Sequence, residues 1–442
     1  MTRLAFLLGA PALVALACAR GPLTPPGVPL AWAALPPPAR PPECRSVRPG
    51  EPLAALLAAA RPGDAFCLEE GIHPGPATLG EGVTLWGPRS AVIHSAGSGD
   101  TVHLAGTGAR LAGMTVDGSG GRFDLQEAAV HVRGDRAVVD GTRIVNALFG
   151  IIVAQSRGVV LRGNEVVGSG APQIGLRGDA VRLWETRDSR IEGNRIVGSR
   201  DMVVWYSGGN TIAGNEVTGG RYGTHFMYSH DNLVTGNRYV GNVVGIFAMY
   251  SRGLTLERNL LAASTGAAGM GLGLKESSAV TVRDNALVQN AVGIYFDNSP
   301  FEPGQLNTIA GNAIELCDLG IQFHASTRGN RLRGNRLHGN GAQVRVDGGG
   351  DALGNEWAGN DFDDYAGYDL DQDGVGDVPY ELRSLSGSLA ARHPQIDLLR
   401  GAPALFVLDA TSRVLPLLRP KPVLVDERPW MGRGRPEALG AD

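Results

Sequence analysis

The sequence predicts an all-β solenoid: a right-handed parallel β-helix of 20–30-residue coils, with a short N-terminal capping helix and an irregular or helical C-terminal extension. The first observation is a phrase that ends in Tyr-Ser and recurs at steps of 227 − 205 = 22 and 249 − 227 = 22, at Trp205–Ser207, Met227–Ser229 and Met249–Ser251. The second is an asparagine series with the same step, Asn215, Asn237 and Asn259. Two residue types that share one period indicate stacked structural repeats.

The third observation is a set of Gly-Asn pairs, which extends the repeat over much of the chain. Glycine precedes the following asparagines: Asn164, Asn194, Asn215, Asn237, Asn312, Asn335 and Asn355; Arg258-Asn259 and Asp284-Asn285 fill the gap. Asparagine tolerates left-handed backbone, and stacked amides can hydrogen-bond from coil to coil. Short apolar strands such as Gly245–Ala248 lie between these turns, and they should stack about 4.8 Å apart.

The N-terminal 43 residues predict an export signal and a spacer. Residues 1–19 combine Arg3, an apolar stretch and a small-residue cleavage site, which is typical of a signal peptide. Cys18 follows the cleavage site and suggests lipoprotein anchoring, although Ala15 matches that motif poorly. Residues 20–43 are rich in proline and predict an extended tether.

The β-helix and its N-terminal cap are assigned to residues 44–362. Leu53–Ala60 predicts a short helix over the open end of the stack, because terminal repeats must be covered. Export to an oxidising compartment makes Cys44 and Cys67 candidates for a disulfide, and Cys317 then remains as a buried apolar residue.

Residues 363–381 form an acidic segment with aspartates at alternate positions. We expect four of them to bind a structural Ca²⁺ ion: Asp369, Asp371, Asp373 and Asp377. Tyr380 stands where an EF-hand has its glutamate, so a complete EF-hand is not predicted. A solvated acidic turn is the alternative.

Residues 382–442 leave the repeat, and the apolar stretch 402–418 is the main feature. It predicts either a C-terminal cap or a docking segment for a membrane partner, because apolar surface at a chain end requires a covering. The residues alone leave both interpretations open.

Aligning the coils on the serine that ends each phrase predicts which side chains face outward, since strand residues alternate between two faces. One outward column is Trp205, Met227, Met249, Lys275, Asp297 and His324. Its neighbour is Val203, His225, Phe247, Gly273, Tyr295 and Gln322.

Sulfur and imidazole side chains lie on adjacent coils of this wall. His225 and Met227 project from one strand, and Met249 lies one coil above Met227. Thioether and imidazole are ligands that suit Cu(I), so these residues predict a transient Cu(I) site, with His230 and His324 as further candidates. The alternative is a contact patch for a protein partner, made by five side chains of the same wall: Trp205, Phe247, Lys275, Tyr295 and Asp297.

Other function classes receive less support from the sequence. The net charge of −4 gives no sign of a nucleic-acid partner. A polysaccharide lyase, an epimerase or a carbohydrate-binding protein is the alternative function for a β-helix. However, Lys275 and Asp297 predict a cross-strand ion pair rather than catalytic groups.

Several motifs resemble the NosD family of periplasmic proteins for nitrous oxide reductase maturation. The resemblance lies in Arg221–Ser229, Val244–Ser251, Gly271–Ser277, Gly293–Asn298, Tyr365–Tyr380 and Asp426–Pro429. It implies a periplasmic, non-enzymatic accessory protein for assembly of the copper–sulfur centre of that reductase. The implied partners are the permease and ATPase of an ABC transporter and the reductase as client, with a copper-delivering periplasmic chaperone as a further candidate. It also favours docking for residues 402–431, whereas a lipidated Cys18 would not be typical of the family.

Overall fold

A computed structural model describes residues 24–399, 402–415 and 420–432. The predicted signal peptide, 1–19, and Cys18 lie outside these residues. Within them the chain winds into a parallel β-solenoid with three faces, sheets 1, 2 and 3, of 14, 13 and 12 strands. The predicted parallel β-helix is therefore confirmed.

Sheet 1 receives the strand that opens each coil, and its strands are Arg45–Val47, Ala65–Leu68, Thr84–Trp86, Arg110–Ala112, Val138–Asp140, Val160–Arg162, Arg190–Glu192, Thr211–Ala213, Leu233–Thr235, Thr255–Glu257, Thr281–Arg283, Asn307–Ala310, Asn330–Arg333 and Glu356–Ala358. Sheet 2 follows in each coil and contains Gly71–Pro74, Ala91–His94, Thr115–Asp117, Arg143–Val145, Glu165–Val167, Arg195–Val197, Glu216–Thr218, Arg238–Val240, Leu260–Ala262, Ala286–Val288, Ala313–Glu315, Arg336–His338 and Asp361–Phe362.

Sheet 3 closes the coils and has the longest strands, which are Ala77–Leu79, Val102–Leu104, Ala128–Val132, Phe149–Ala154, Val181–Trp184, Asp201–Trp205, Tyr222–Met227, Val244–Met249, Met270–Lys275, Val292–Asp297, Leu319–Phe323 and Ala342–Val346. The helices of the described residues are Leu53–Ala58, Leu385–Arg392 and Pro403–Val414, with 3-10 turns at Ile174–Leu176, Asp347–Gly349 and Pro394–Leu399. None of the helices in the described part of the chain is long and apolar enough to cross a membrane.

The core is the interior of the solenoid, filled by one apolar column after another. The sheet 3 residues that alternate with the outward columns face inward and are at most 1% exposed, namely Ile246, Ala248, Leu272, Leu274, Ile294, Phe296, Ile321 and Phe323. Phe296 and Phe323 stack with ring centroids 4.8 Å apart. Burial of these columns is the main stabilising contribution to the fold.

Buried asparagines form the predicted ladder at one corner of the coils. In a typical step, the amide oxygen of Asn237 accepts the backbone N–H and the side-chain NH₂ of Asn215, both at 2.9 Å. The ladder runs through Asn164, Asn194, Asn215, Asn237, Asn259, Asn285, Asn312, Asn335 and Asn360. Asn355 is not part of it: it ends a second ladder through Asn307 and Asn330.

The serines used for the alignment also form a ladder. The backbone N–H of each donates to the hydroxyl of the next through Ser207, Ser229, Ser251, Ser277 and Ser299, at 3.0–3.3 Å. The alignment of coils on this serine is therefore the true register of sheet 3.

The N-terminal cap matches its prediction with a shorter helix, Leu53–Ala58 rather than Leu53–Ala60. Leu53 and Leu57 pack on the first coils. A disulfide joins Cys44 to Cys67 with the Cα atoms 5.7 Å apart. It ties the first strand of sheet 1 to its neighbour.

The proline-rich segment is extended but is not a free tether. Its described residues lie against sheets 1 and 2, and Val28 packs against three side chains of sheet 2, Leu260, Ala262 and Ala286. Arg238 donates to the carbonyl of Pro29 at 3.2 Å, and the Trp86 indole donates to that of Pro38 at 3.1 Å. Apolar side chains and free carbonyls thus hold the segment to the solenoid.

The C-terminal part contains a strand that caps the solenoid and, separately, a helix with exposed apolar side chains. The strand Leu424–Asp426 pairs with Tyr380–Leu382, and Leu424 is fully buried. The Asp426 carboxylate accepts the backbone N–H and the amide of Asn360, at 3.0 and 2.8 Å, which ends the asparagine ladder. By contrast, helix Pro403–Val414 leaves Phe406 77% exposed.

Candidate functional site

The two outward columns lie on sheet 3, in the predicted register. Trp205, Met227, Met249, Lys275 and Asp297 are successive pairing partners. Val203, His225, Phe247, Gly273, Tyr295 and Gln322 form the neighbouring column. Sheet 3 thus places the predicted sulfur and imidazole groups on one wall.

His225 and Met249 are in direct contact. The Nε2 atom of His225 lies 3.3 Å from the Sδ atom of Met249. Two ligands of one metal ion have such a separation, because metal–nitrogen and metal–sulfur bonds measure about 2.0 and 2.3 Å. Met227 pairs directly with Met249 and lies on the same wall. The donor set therefore fits a Cu(I) ion, which prefers soft thioether and imidazole ligands.

His225 is more enclosed than an outward position suggested. It is only 5% exposed because aromatic rings surround it: Tyr222 at 4.7 Å, Trp205 at 5.6 Å and Phe247 at 6.3 Å between centroids. Its Nδ1 atom is buried and has no hydrogen-bond partner.

This enclosure keeps the imidazole neutral. Burial, with a smaller contribution from the positive charge of Arg221, lowers the pKa of His225 to about 4. Asp179 opposes the shift and Arg200 adds to it. A ring nitrogen lone pair is therefore available to a metal throughout the neutral range.

A buried ion network supports the aromatic surround, and the sequence analysis missed it. Asp179 accepts hydrogen bonds from Arg182 at 2.6 Å and from Arg200 at 2.9 Å. The Arg182 guanidinium lies 5.0 Å from the Trp205 ring centroid. Arg221 pairs with Asp201. Charged residues that recur at the start of consecutive sheet 3 strands, such as Arg200, Asp201 and Arg221, are a signal in the sequence. Only the register between the coils shows that these charges meet.

The sequence analysis also missed Met270, because it lies outside the two columns. A side chain at Gly273 would meet the Phe247 ring at 2.3 Å and the Met270 sulfur at 2.9 Å. The absent side chain of Gly273 therefore leaves room for a third thioether beside Phe247.

Two further copper candidates lie apart from this cluster. The Nδ1 atom of His230 accepts the backbone N–H of Arg252 at 3.1 Å, which commits that nitrogen to a turn. His324 is exposed and lies three coils beyond Met249, about 14 Å away at the usual strand spacing. The structure thus does not bring His324 to the His225–Met249 contact, because the two sites share a column but lie three coils apart.

The five side chains predicted as an interaction face lie in the same two outward columns. Lys275 and Asp297 form the expected ion pair at 3.5 Å, and Tyr295 packs against His324 at 6.4 Å between ring centroids. At the edge of the wall three tyrosines, Tyr206, Tyr228 and Tyr250, stack with centroids 5.4 and 4.9 Å apart. Tyr206 and Tyr228 are each 44% exposed, so the wall offers aromatic surface to a partner.

Three of the four predicted calcium ligands converge. Oxygens of Asp369, Asp371 and Asp373 lie within 4.8 Å of one another, and one oxygen of Asp369 is buried without a hydrogen-bond partner. Asp377 instead accepts the backbone N–H of Leu370 at 2.7 Å. The trio fits a hard cation, since such ions prefer several carboxylate oxygens.

Comparisons with known proteins agree with the resemblance found in the sequence. The family model described as "Periplasmic copper-binding protein (NosD)" matches residues 170–367. A "Probable ABC transporter binding protein NosD" of Stutzerimonas stutzeri is 28% identical over 82% of this chain and 86% of its own length. A protein of the same name from Pseudomonas aeruginosa is 28% identical over 86% of this chain and 91% of its own length. The predicted relationship to NosD proteins is confirmed.

Solved structures with this fold include carbohydrate-active enzymes. The catalytic unit of a GH87 α-1,3-glucanase from Streptomyces thermodiastaticus has a TM-score of 0.56 at 16% identity, covering 73% of this chain and 70% of that one. The A-module of the mannuronan C-5 epimerase AlgE6 from Azotobacter vinelandii has a TM-score of 0.53 at 14% identity, covering 71% and 94%. These likenesses show the parallel β-helix fold alone.

The low pKa of His225 predicts how Cu(I) binding depends on pH. Protons compete with a metal only below the ligand's pKa in the free protein. We therefore expect a constant Cu(I) affinity down to about pH 5, and a tenfold loss per unit only below pH 4, the pKa of this imidazole. An exposed histidine with a pKa of about 6.5 would lose affinity from about pH 6 downward.

The measurement is a competition titration with a Cu(I) chelator at several pH values, corrected for protonation of the chelator. His230→Gln is the control and should leave the profile unchanged. A midpoint near pH 6.5 in the parent protein would show that His225 is not the ligand.

Proposed function

We propose, on the premise that this chain is a relative of the NosD proteins, that it is a periplasmic accessory factor in maturation of the copper–sulfur centre of nitrous oxide reductase. The observation that carries the copper part is the 3.3 Å contact between His225 Nε2 and Met249 Sδ. The sheet 3 wall would hold Cu(I) transiently, with the reductase as client. A copper-delivering periplasmic chaperone would supply the ion.

The ligand set suits an ion that must be released again. Thioethers are soft neutral ligands that hold Cu(I) without carrying a charge. Neutral imidazole completes the set without a proton to displace. The aromatic rings around His225 exclude water, and the tyrosine stack beside them presents a surface on which the apo-reductase can dock.

The same premise supports association with an ABC transporter, meaning its permease and ATPase subunits. Helix Pro403–Val414 and the 3-10 turn before it expose apolar side chains with no described covering: Leu398 at 88%, Leu399 at 57%, Phe406 at 77% and Val407 at 60%. A solvent-exposed apolar patch of this kind favours a protein or membrane partner. We assign the patch to the permease, so that transporter movement reaches the solenoid through the adjoining cap.

Replacing the paired thioethers Met227 and Met249 should abolish copper handling. Met227→Leu/Met249→Leu keeps side-chain volume but removes these two sulfur donors. Loss of two ligands should exceed the 10–100-fold effect of removing an outer-shell partner, so we expect at least about a hundredfold weaker Cu(I) binding and loss of reductase maturation. The measurements are Cu(I) competition titration and copper content of the reductase in cells that carry the variant. Met114→Leu, the same exchange in the core where Met114 is fully buried, is the control.

Parent-like binding and maturation in the double variant would refute the copper role. Lost binding with normal maturation would assign the wall to client docking instead.

Polar substitutions on the exposed helix should weaken transporter binding. Phe406→Ser/Val407→Ser removes apolar surface, and we expect at least about a tenfold loss of affinity for the detergent-solubilised permease–ATPase complex. Leu176→Ser, at a position 62% exposed on the solenoid, is the control. Undiminished binding of the helix variant would exclude this helix as the docking site. A truncation after residue 399 is unsuitable, because it also removes Asp426 from the asparagine ladder.

We also propose that the Asp369–Asp371–Asp373 trio binds a structural Ca²⁺ ion. Calcium at about 100 times its Kd should stabilise the protein by about 2.7 kcal/mol. The check is the melting temperature with and without Ca²⁺, where Asp371→Asn/Asp373→Asn should remove the increase. Glu427→Gln, an exposed site nearby, should retain it. An equal increase in the aspartate variant would place any calcium elsewhere.

A further inference from the structure

Two histidines at the N-terminal end of sheet 3 are direct pairing partners. His103 and His131 occupy the same outward column as His225. His131 is separated from His225 by four coil steps, or about 19 Å at the usual spacing. The pair is therefore a separate cluster, outside the His225–Met249 contact.

Both imidazoles present an unused nitrogen away from solvent. The ring centroids lie 5.4 Å apart, and the Nε2 atoms of both rings are buried without a hydrogen-bond partner. An unpaired buried polar atom costs free energy. A ligand bound to both atoms would remove this cost on two adjacent strands at once.

A carboxylate fixes the tautomer of one ring. His131 Nδ1 lies 2.9 Å from an oxygen of Asp100, whose other oxygen accepts the backbone N–H of Ala128 at 2.8 Å. Although burial raises the pKa of Asp100, hydrogen bonds from His131 and Ala128 bring it below its ordinary value. Asp100 is thus a carboxylate acceptor, so Nδ1 of His131 donates this hydrogen bond and Nε2 is the ring nitrogen left without a partner. Metal-binding histidines are commonly oriented by a carboxylate in this way.

The surroundings of the second ring disfavour its charged form. Burial, reinforced by His131, lowers the pKa of His103. Each ring thus keeps a buried Nε2 atom without a hydrogen-bond partner, and the two rings are neighbours on adjacent strands.

We propose that His103 and His131 form a second metal site, which takes a copper or zinc ion through the two Nε2 atoms. An ion bound about 2.0–2.1 Å from each nitrogen requires Nε2 atoms no more than about 4.2 Å apart. Rings at the observed centroid distance reach that separation by rotation of their side chains. Asp100 is a positioning residue that acts through His131.

This site differs in chemistry from the His225–Met249 contact. It offers imidazole nitrogens without a thioether. Because it lacks the soft donors that select Cu(I), it suits Cu(II) and Zn²⁺. Two protein ligands leave coordination positions open for water or for a ligand from a partner. The proposal stands independently of copper transfer at His225.

The test is calorimetric titration of the mature full-length protein with ZnSO₄ and, separately, CuSO₄, with calcium in excess to occupy the aspartate loop. We expect one ion to bind in the parent and that binding to be lost in His103→Gln/His131→Gln. Asp100→Asn should weaken it by about 10–100-fold, the usual effect of removing an orienting partner. The Cu(II) sample should show nitrogen hyperfine coupling that disappears in the double variant.

His94→Gln is the matched control, since His94 also pairs with an aspartate, Asp117 at 3.0 Å, but on sheet 2. It should bind as the parent does. His225→Gln/Met249→Leu should also retain this ion, which separates the two sites. Unchanged zinc and Cu(II) binding in the His103/His131 variant, with a parent-like melting temperature, would overturn the proposal, as would an absence of binding in the parent.

Discussion

The fixed register between coils is the constraint on which the rest of this protein depends, and buried asparagine amides impose it. An interior member such as Asn237 accepts two hydrogen bonds from one neighbouring coil and donates two to the other. Each bond contributes only about 1 kcal/mol net, but a lost partner leaves buried groups that cost about 1–3 kcal/mol each. Slippage of a strand would break such a step, so the ladder holds each coil to one alignment.

The register also builds the candidate metal site on sheet 3, because it brings together residues that no single local motif contains. His225 and Met249 are 24 residues apart, yet they touch because their strands are adjacent and aligned. The rings that bury His225 come from three consecutive coils, including Trp205 and Phe247. Burial under these rings lowers the pKa of the imidazole, so the ring is neutral and can bind a soft metal ion.

The two ends of the solenoid solve the same problem with different elements. Open strand edges invite unwanted pairing and must be covered. The N-terminal end uses a helix and the Cys44–Cys67 disulfide, while the C-terminal end uses Asp426 and the strand around it. Because this strand closes the C-terminal end of the stack, helix Pro403–Val414 is free to expose Phe406. The C-terminal part therefore combines a capping strand with a separate exposed helix, whereas the sequence offered capping or docking for the stretch 402–418 alone.

The sequence by itself determined the repeat, the parallel β-helix, the serine alignment and the order of residues in the outward columns. It could do so because a period of 22 residues and a strand alternation of two are both local patterns. Only the tertiary structure decided that Asn355 joins a different ladder, that His324 stands apart from Met249, and that His225 is enclosed. It also brought Asp179, Arg182 and Arg200 together. The reason is physical: burial and charge pairing depend on side chains from several coils, and no pattern within one coil specifies them.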